Sequence, residues 1–266
     1  MTDRPPLPTF IIIGAQKSAT RWLRYNLGRH PEIFTAPREV KYFNHPKRCR
    51  LLGPDWYREQ FEGWAGEPIV GEATPGYMIL RHDPAAVAER IDETVAGVRL
   101  LALLRNPVDR AYSALLHHVR QERVRPGTRL LNYVRTRPPE DDWLAVVTGG
   151  WYAASLQPYL ERFDERLLVL LHDDVRAEPA GVYRVALEHV GATRDVVPAE
   201  LGLMVSSNED AAALLVPPLS AEERAELFEY FADDVARLEQ LLGRDLSRWR
   251  PSADQADAVV ATGGAS

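Results

Sequence analysis

The sequence contains one cysteine, no long apolar run and no excess of positive charge. With Cys49 alone, no intrachain disulfide can form, and this composition predicts a reducing compartment, the cytoplasm. No apolar run approaches the ~20 residues that a membrane-spanning helix needs, and the opening residues MTDRPPLPTF lack the apolar segment of a signal peptide. The net charge of -6 argues against general nucleic-acid binding. We therefore expect a soluble protein with no membrane span and no nucleic-acid partner.

The short motifs of metal sites and of ATP-binding loops are also missing. H-E-x-x-H, C-x-x-C and D-x-D do not occur, so the sequence predicts no metal. A Walker A loop places a glycine directly before its lysine. Here Gln16 precedes Lys17, and Gly14 lies three residues upstream of that lysine. The loop around Lys17 is therefore shorter than an ATP-binding P-loop.

Length and composition predict a folded α/β chain. The 266 residues, 45% hydrophobic and 26% charged, are enough for one large domain over residues 1–250, followed by a tail at 251–266 whose content of Ala, Gly, Ser and Asp predicts flexibility. Predicted strands lie at 10–14, 68–71, 98–104 and 167–172. Predicted helices lie at 19–29, 54–62, 83–93, 108–121, 151–163, 179–190 and 220–242. This order favours a single three-layer domain with a central parallel sheet flanked by helices.

A buried strand, a short lysine-bearing loop and a helix start follow one another in FIIIGAQKSATRW, residues 10–22. The N–H groups at a helix start point toward a bound anion, and the helix dipole favours its charge. Lys17 adds a cation, and Ser18 and Thr20 add hydroxyl donors. The pattern predicts a phosphate-binding loop, and the plain alternative is an ordinary connection with a solvated lysine.

A second apolar strand runs directly into RNPVDRAYS, residues 105–113. Pro107 fits the first turn of a helix, where its missing N–H costs nothing. Arg105 follows the strand, and Ser113 lies about two turns into the helix. A guanidinium binds a phosphate bidentately, and a hydroxyl adds a neutral donor. The segment predicts a second phosphate site, against the alternative of a surface arginine and an ordinary helix serine.

These two segments resemble the nucleotide motifs of sulfotransferases that use 3′-phosphoadenosine 5′-phosphosulfate, PAPS. The family's 5′-phosphosulfate loop reads P-K-S-G-T-T-W, and this chain matches it at Lys17, Ser18, Thr20 and Trp22. It departs from the motif at two positions, Ala19 and Arg21. The family's 3′-phosphate motif, R-N-P-x-D-x-x-x-S, is matched at every fixed position of residues 105–113.

The resemblance implies a P-loop-like sulfotransferase fold and PAPS as the donor. It assigns the 5′-phosphosulfate to the loop that contains Lys17, Ser18, Ala19, Thr20, Arg21 and Trp22. It assigns the 3′-phosphate to Arg105 and Ser113. The adenine-stacking role of the family's tryptophan maps to Trp22, with a core tryptophan as the equally favoured alternative. The family also closes over its donor with a late basic loop, but residues 205–210, VSSNED, are acidic, leaving Ser207 or Asn208 as candidate donors.

The acceptor side resembles the heparan sulfate N- and 3-O-sulfotransferases. Their K-E-x-x-[FY]-F segment corresponds to PREVKYF, residues 37–43, which places their catalytic base at Glu39. Their E-K-[ST]-P-x-Y segment corresponds to residues 72–77, where Ala73 replaces the lysine. A histidine four residues after their 3′-phosphate serine corresponds to His117. The alternatives are a solvated charge for Glu39 and a structural role for His117.

The sequence therefore predicts transfer of a sulfuryl group from PAPS to a hydroxyl, or less readily an amine. Lys17 would stabilise the leaving phosphate, and Glu39 would be the base, with His117 second. The predicted acceptor is a small molecule, a glycolipid or a saccharide, and the resemblance favours a bacterial enzyme. The alternatives are a P-loop-like small-molecule kinase that uses Lys17 on ATP, and a non-catalytic nucleotide-binding protein.

Overall fold

The computed structural model describes residues 4–201 and 215–251, which divide into two compact units. The first unit comprises residues 4–105 and 155–201. The second unit comprises residues 106–154 and 215–251. One domain over residues 1–250 stays a prediction, and most of the predicted tail, residues 252–266, lies outside the described residues.

The first unit contains a five-stranded parallel sheet with the strand order β2-β3-β1-β4-β5. Its strands are β1 (Phe10–Gly14), β2 (Ile33–Thr35), β3 (Ile69–Ala73), β4 (Arg99–Leu104) and β5 (Leu167–Leu171). Every residue of β1 and β3 is buried, as expected for central strands covered on both faces. Because all five strands run in parallel, the loops that follow them leave the sheet at one edge, where α/β proteins bind ligands.

Five helices of the described chain belong to the first unit, and a sixth leads into it from the second. In the first unit these are α1 (Thr20–Leu27), α2 (Pro46–Glu59), α3 (Pro84–Thr94), α7 (His172–Ala177) and α8 (Pro179–Val190). Helix α6 (Tyr152–Phe163) leads the chain from the second unit back into the first. The second unit contains α4 (Pro107–Arg120), α5 (Leu130–Arg135), α9 (Ala221–Glu229) and α10 (Ala232–Leu242).

The hydrophobic core of the first unit follows from strand alternation. Phe10 and Ile12 of β1 point to the face that also buries Leu101 and Leu103 of β4. Residues of α1 and α8 complete this core: Trp22, Leu23, Leu27, Tyr183, Ala186, Leu187 and Val190. The intervening strand residues, Ile11, Ile13, Leu100 and Ala102, are fully buried as well. The parallel sheet flanked by helices confirms the predicted α/β fold.

Two predicted helices differ from the structure, and three short elements were not predicted. Strand β2 was not predicted, because it has three residues and only Ile33 of them is fully buried. Helix α2 begins at Pro46 rather than 54, and it is kinked at Gly53, whose φ is 68°. The helix predicted at 220–242 is two helices, α9 and α10, separated at Tyr230 and Phe231. Helices α5 and α7 were also missed, since six residues give too short a period to recognise.

Two helix starts in the second unit are capped by side chains. Ser220 accepts a hydrogen bond from the N–H of Glu223 at 3.2 Å, and the Glu223 carboxylate accepts from the Ser220 N–H at 3.0 Å. These two reciprocal hydrogen bonds form a capping box at the start of α9. Asn106 caps α4 by accepting from the N–H of Val108 at 3.0 Å, and Pro107 occupies the first helical position.

Candidate active site

The loop after β1 is held against the sheet by close backbone packing. Gly14 ends the strand beside Met78, whose sulfur would lie 2.4 Å from a Cβ at position 14, so no larger residue fits without a shift. The N–H of Ala15 then donates to the carbonyl of Leu103 on β4 at 2.8 Å. The sequence of small residues therefore lets the loop turn tightly over the carboxyl ends of two neighbouring strands.

Two residues of this loop adopt the left-handed conformation. Lys17 has a φ of 71° and Ala19 a φ of 68°. Ala19 is the N-cap of α1 and provides no side-chain cap. The first N–H groups of the helix have no acceptor within the helix, and they lie at the positive end of its dipole. The loop and helix start thus have the form of an anion site.

Replacing Ala19 by glycine is expected to raise the free energy of unfolding by about 0.5–1 kcal/mol. The left-handed conformation costs an L-residue about 1–2 kcal/mol, and the greater freedom of an unfolded glycine offsets part of the gain. Urea unfolding of both chains measures the difference. Ala85→Gly in α3 is the control and should be destabilising, because Ala85 is exposed in a regular helix. If Ala19→Gly lowers the free energy of unfolding as much as the control does, Ala19 does not have the left-handed conformation.

Ser18 has a buried hydroxyl that no described residue satisfies. Its side chain is fully buried, and its Oγ lacks a hydrogen-bond partner within residues 4–201 and 215–251, as does Oε1 of Gln16. Leaving a buried polar group unpaired costs about 1–3 kcal/mol, so such groups call for a specific explanation. A bound anion at this loop would accept from Ser18. The loop therefore fits the phosphosulfate end of PAPS.

Arg105 joins the same loop from the neighbouring strand. It follows β4 directly, and its Nη1 lies 3.5 Å from the carbonyl oxygen of Lys17. The contact arises because β4 pairs with β1, with Ala102 opposite Gly14. The sheet therefore brings together two of the predicted donor-binding residues, with the Arg105 guanidinium against the backbone of Lys17.

The remaining residues predicted in the loop have different environments. Thr20 is buried and Arg21 is exposed. Trp22 is only 4% exposed, and its Nε1 donates to the carbonyl of Leu201 at 2.5 Å. Its ring lies in the hydrophobic core under the sheet. Of the two roles that the sequence leaves open for Trp22, this position supports the core tryptophan rather than the stacking partner of adenine.

Glu39 lies in the segment that follows β2, on the same edge of the sheet. Its side chain is 48% exposed, and its Oε2 is 3.3 Å from Nζ of Lys41. Arg24 of α1 is a second cation near it: burial lowers the pKa of Arg24, Arg21 lowers it further, and Glu39 raises it. The predicted base is thus accessible and lies among positive groups. It shares with Lys17 and Arg105 the edge at the carboxyl ends of the strands.

A buried carboxylate lies beneath this segment, and the resemblance at residues 72–77 assigned it no role. Glu72 of β3 has no exposed surface and accepts hydrogen bonds from the hydroxyls of Tyr57, Thr74 and Tyr77. Burial raises its pKa, although these hydrogen bonds act in the opposite direction. Its signal in the sequence is a glutamate inside the apolar strand IVGEA. Ala73 is buried beside it, at the position where the heparan sulfate enzymes have lysine.

In the second unit, Ser113 and His117 lie on α4 and are partly exposed. Because they are four residues apart, they share one face of the helix. His118 is buried and plays a structural part, since its Nε2 lies 3.1 Å from the carbonyl of Leu144 and must carry the proton of that hydrogen bond. Of the two adjacent histidines, His117 is therefore the one that is partly exposed.

Stability is expected to fall as the pH is lowered from about 6.5 to about 4, partly because of His118. Burial lowers the pKa of His118 from 6.5 to about 4, so in this window the unfolded chain binds a proton there that the folded chain does not. His118→Gln keeps a donor for Leu144 without a titrating group. Its free energy of unfolding should fall less steeply over this window in urea titrations. An unchanged slope would contradict the assignment.

The predicted donor-closing segment lies outside the described residues, and the predicted absences can be examined only within them. The acidic segment 205–210, with Ser207 and Asn208, is not among the described residues. Within residues 4–201 and 215–251, no three acidic, histidine or cysteine side chains are placed to share a metal ion. No helix in those ranges combines the length and the apolar character needed to cross a membrane.

Comparison with known proteins gives consistent matches. The family model for the sulfotransferase domain matches residues 7–197. The crystal structure of a sulfotransferase from Alicyclobacillus acidocaldarius superposes with a TM-score of 0.74, at 31% identity, over 91% of this chain and 98% of that one.

Two curated relatives match over part of their length. Mouse heparan sulfate glucosamine 3-O-sulfotransferase 3B1 is 29% identical over 71% of this chain and 47% of its own length. The membrane-associated sulfotransferase kil1 of Dictyostelium discoideum is 38% identical over 40% of this chain and 22% of its own length. The chain thus spans less than half of either relative.

Proposed function

Because this chain belongs to the sulfotransferase domain family, we propose that it transfers the sulfuryl group of PAPS to an acceptor hydroxyl. An amine acceptor is the less favoured form of the same reaction. The observation that carries the proposal is the buried, unsatisfied hydroxyl of Ser18, in a loop where Lys17 meets Arg105. A phosphosulfate would accept a hydrogen bond from the hydroxyl and would be neutralised by Lys17, while Arg105 would be left for the 3′-phosphate.

The donor would be held at two places by residues of this chain. The N–H groups at the start of α1, with Ser18 and Thr20, would bind the 5′-phosphosulfate. Arg105 would bind the 3′-phosphate bidentately, and Ser113 would add a hydroxyl donor from α4. The resemblance to the family's two motifs supports both assignments. When bound, PAPS supplies an activated sulfuryl group and a phosphate leaving group.

Lys17 would act on the leaving group. Sulfuryl transfer resembles phosphoryl transfer in charge flow, with negative charge growing on the bridging oxygen as the bond to sulfur breaks. A cation placed at that oxygen stabilises the transition state more than the ground state. The left-handed backbone of Lys17 supports this role, because non-glycine residues in that conformation occur often at functional sites.

Glu39 would accept the proton of the attacking hydroxyl. A general base must be accessible and within hydrogen-bond reach of the acceptor, and Glu39 is about half exposed at the ligand-binding edge of the sheet. His117 is the second candidate base. The cations near Glu39, Lys41 and Arg24, would favour an acceptor rich in hydroxyl or acidic groups. A small molecule, a glycolipid or a saccharide meets this description, and the relatives named for heparan sulfate act on a saccharide.

Transfer from ³⁵S-labelled PAPS tests this function directly. Purified protein is incubated with labelled PAPS and a set of acceptors that includes heparan sulfate oligosaccharides, sugars, glycolipids and phenols. We expect labelled product and release of adenosine 3′,5′-bisphosphate without a requirement for Mg²⁺. Phosphoryl transfer from ATP that depends on Mg²⁺ would instead support a kinase. The sequence does not favour a kinase, because a Walker A loop requires a glycine directly before its lysine and this chain has Gln16 there. Donor binding without transfer to any acceptor or to water would support a non-catalytic protein.

The compartment remains a prediction. The single cysteine, Cys49, favours the reducing cytoplasm, and its thiol is partly buried and lies 3.1 Å from the carbonyl of Tyr42. Fractionation of the source cells, with detection of the protein in each fraction, tests this assignment.

A further inference from the structure

We propose that the buried carboxylate of Glu72 is a positioning residue, which fixes the backbone beside Glu39 through two hydroxyl relays. The inference rests on the proposed function, because it assigns Glu39 as the base. Glu72 itself is fully buried and touches no acceptor. Its effect on catalysis would pass through residues 40–42, which directly follow Glu39 in the chain.

The Glu72 carboxylate is surrounded by hydrogen-bond donors. The hydroxyls of Tyr57 and Tyr77 each lie 2.8 Å from its Oε1, and the Thr74 hydroxyl lies 2.6 Å from its Oε2. The backbone N–H of Val40 is a fourth donor. An ionised carboxylate has about four acceptor positions, so these four donors fill them. A carboxylate with every position filled holds its partners in one arrangement.

Two of these hydroxyls connect the carboxylate to the segment that bears Glu39. Each hydroxyl has one proton, and a hydroxyl that donates to Glu72 turns its lone pairs away from the carboxylate. The Tyr77 oxygen then accepts from the N–H of Tyr42 at 3.2 Å, and the Thr74 oxygen accepts from the N–H of Lys41 at 3.2 Å. Three consecutive N–H groups, at residues 40, 41 and 42, are thereby anchored to one carboxylate, directly or through a hydroxyl.

The anchored segment has a backbone conformation that needs support. Lys41 has a φ of 54°, a left-handed conformation that L-residues with a side chain rarely adopt. Such a residue persists where its surroundings determine its conformation, and these residues occur often at functional sites. This backbone conformation sets the direction of the Lys41 side chain. The Nζ of Lys41 lies 3.3 Å from the Glu39 carboxylate. The relays therefore place both members of the ion pair.

Aromatic packing also holds this segment, and the test must separate it from the hydroxyl relays. Tyr42 stacks on Tyr57 with ring centroids 4.8 Å apart, and Phe43 meets Tyr77 edge to face at 5.6 Å. Tyrosine-to-phenylalanine variants keep both ring contacts and remove only the hydroxyl. Any effect of such a variant on residues 40–42 then belongs to the hydrogen bonds.

Tyr57 and Tyr77 form a matched pair for this test. Both side chains are fully buried, and both hydroxyls lie at the same distance from the same carboxylate oxygen. Only the Tyr77 hydroxyl also accepts from the backbone of the segment, at Tyr42. A purely structural role for Glu72 predicts equal effects of Tyr57→Phe and Tyr77→Phe. The relay predicts unequal effects.

The first readout is amide hydrogen exchange of residues 38–44, measured by mass spectrometry or NMR, which needs no acceptor. We expect Tyr77→Phe and Thr74→Val to accelerate exchange at Tyr42 and Lys41 respectively by roughly tenfold, the equivalent of one hydrogen bond. Tyr57→Phe should change exchange less than about threefold, and Thr74→Ser should restore protection. Equal acceleration by Tyr57→Phe and Tyr77→Phe would overturn the relay.

The second readout is turnover, measured as transfer to heparan sulfate oligosaccharides and as hydrolysis of PAPS with water as the acceptor. Tyr77→Phe should lower kcat roughly tenfold, with the affinity for adenosine 3′,5′-bisphosphate unchanged, because a small misplacement of the base slows the reaction without affecting the donor loop. Tyr57→Phe should lower kcat less than about threefold. Equal losses in the two variants would contradict the positioning role.

Combining Tyr77→Phe with Glu39→Gln separates the anchoring of residues 40–42 from the role of Glu39 as the base. If Tyr77 acts through Glu39, the loss caused by Tyr77→Phe disappears in the Glu39→Gln background. A loss that persists there would overturn positioning of Glu39. If Glu39→Gln alone keeps wild-type turnover while exchange at residue 42 still responds to Tyr77→Phe, the proposed base is wrong and the relay to the backbone stands.

Discussion

Replacing Glu39 by glutamine is expected to lower turnover by roughly two to four orders of magnitude, the usual contribution of a general base. The affinity for adenosine 3′,5′-bisphosphate should stay at the wild-type value, because Glu39 lies after β2 and the donor loop lies after β1. Steady-state transfer from labelled PAPS, together with calorimetric titration of the bisphosphate, measures both quantities. The amide keeps the shape of the side chain, so the loss reports the missing base.

The control for this substitution is Glu62→Gln, which makes the same chemical change at an exposed glutamate after α2. It should have wild-type turnover. If Glu39→Gln also keeps wild-type turnover, Glu39 is not the base. His117→Asn is then the next variant to measure, since His117 is the second candidate and is partly exposed on α4.

Replacing Lys17 by alanine is expected to weaken binding of adenosine 3′,5′-bisphosphate and to lower kcat by roughly 10²–10³. Both effects follow from one position, since the lysine would attract the donor's phosphate and stabilise the charge that grows on it during transfer. Alanine bears about the same left-handed backbone cost as lysine, so the fold should be unaffected. Calorimetry, single-turnover kinetics and a thermal melt separate the three quantities.

Lys47→Ala is the matched control, because it removes the same charge from an exposed position on α2. Its donor affinity and turnover should equal those of the wild-type protein. A Lys17→Ala variant with unchanged kinetics on both counts would remove the loop after β1 from the donor site. A change in affinity alone would leave Lys17 as a binding residue with no part in the chemical step.

The central strands of this fold are readable from the sequence because they are buried on both faces. FIIIG and RLLALL are apolar runs that end at a polar loop, and the structure has β1 and β4 there. The three-residue edge strand β2 has no such run, whereas the other edge strand, β5, is the apolar run LLVLL and was predicted. The separation of α9 from α10 at Tyr230 and Phe231 was not predicted, because both residues continue an acceptable helical pattern.

The donor loop could be predicted because its elements are consecutive in the chain. The strand, the lysine and the helix start lie within residues 10–22, so a local motif contains them all. The contact between Lys17 and Arg105 follows from the pairing of β1 with β4. The order of the strands along the chain does not determine that pairing. The burial of Trp22 in the core likewise depends on α8 and on Leu201, far along the chain.

The support beneath Glu39 could not be predicted, because it is assembled from separate segments. Tyr57 comes from α2, Glu72 from β3 and Tyr77 from the short helix after it. The acceptor-side segment 72–77 contains Glu72 and Tyr77 at fixed positions, but the sequence does not show that they lie next to the residues that follow Glu39. Only the fold brings their hydroxyls to one carboxylate, so a motif for the base contains no sign of what positions it.

Recognition of PAPS as the donor is tested most simply by calorimetric titration with adenosine 3′,5′-bisphosphate, with ADP and ATP titrated in parallel. We expect micromolar binding of the bisphosphate, much weaker binding of ATP, and loss of bisphosphate binding in Arg105→Ala. Arg105 is expected to recognise the 3′-phosphate, which ADP and ATP lack. No binding of the bisphosphate, or a preference for ATP with Mg²⁺, would contradict the assignment of this chain as a PAPS-dependent sulfotransferase.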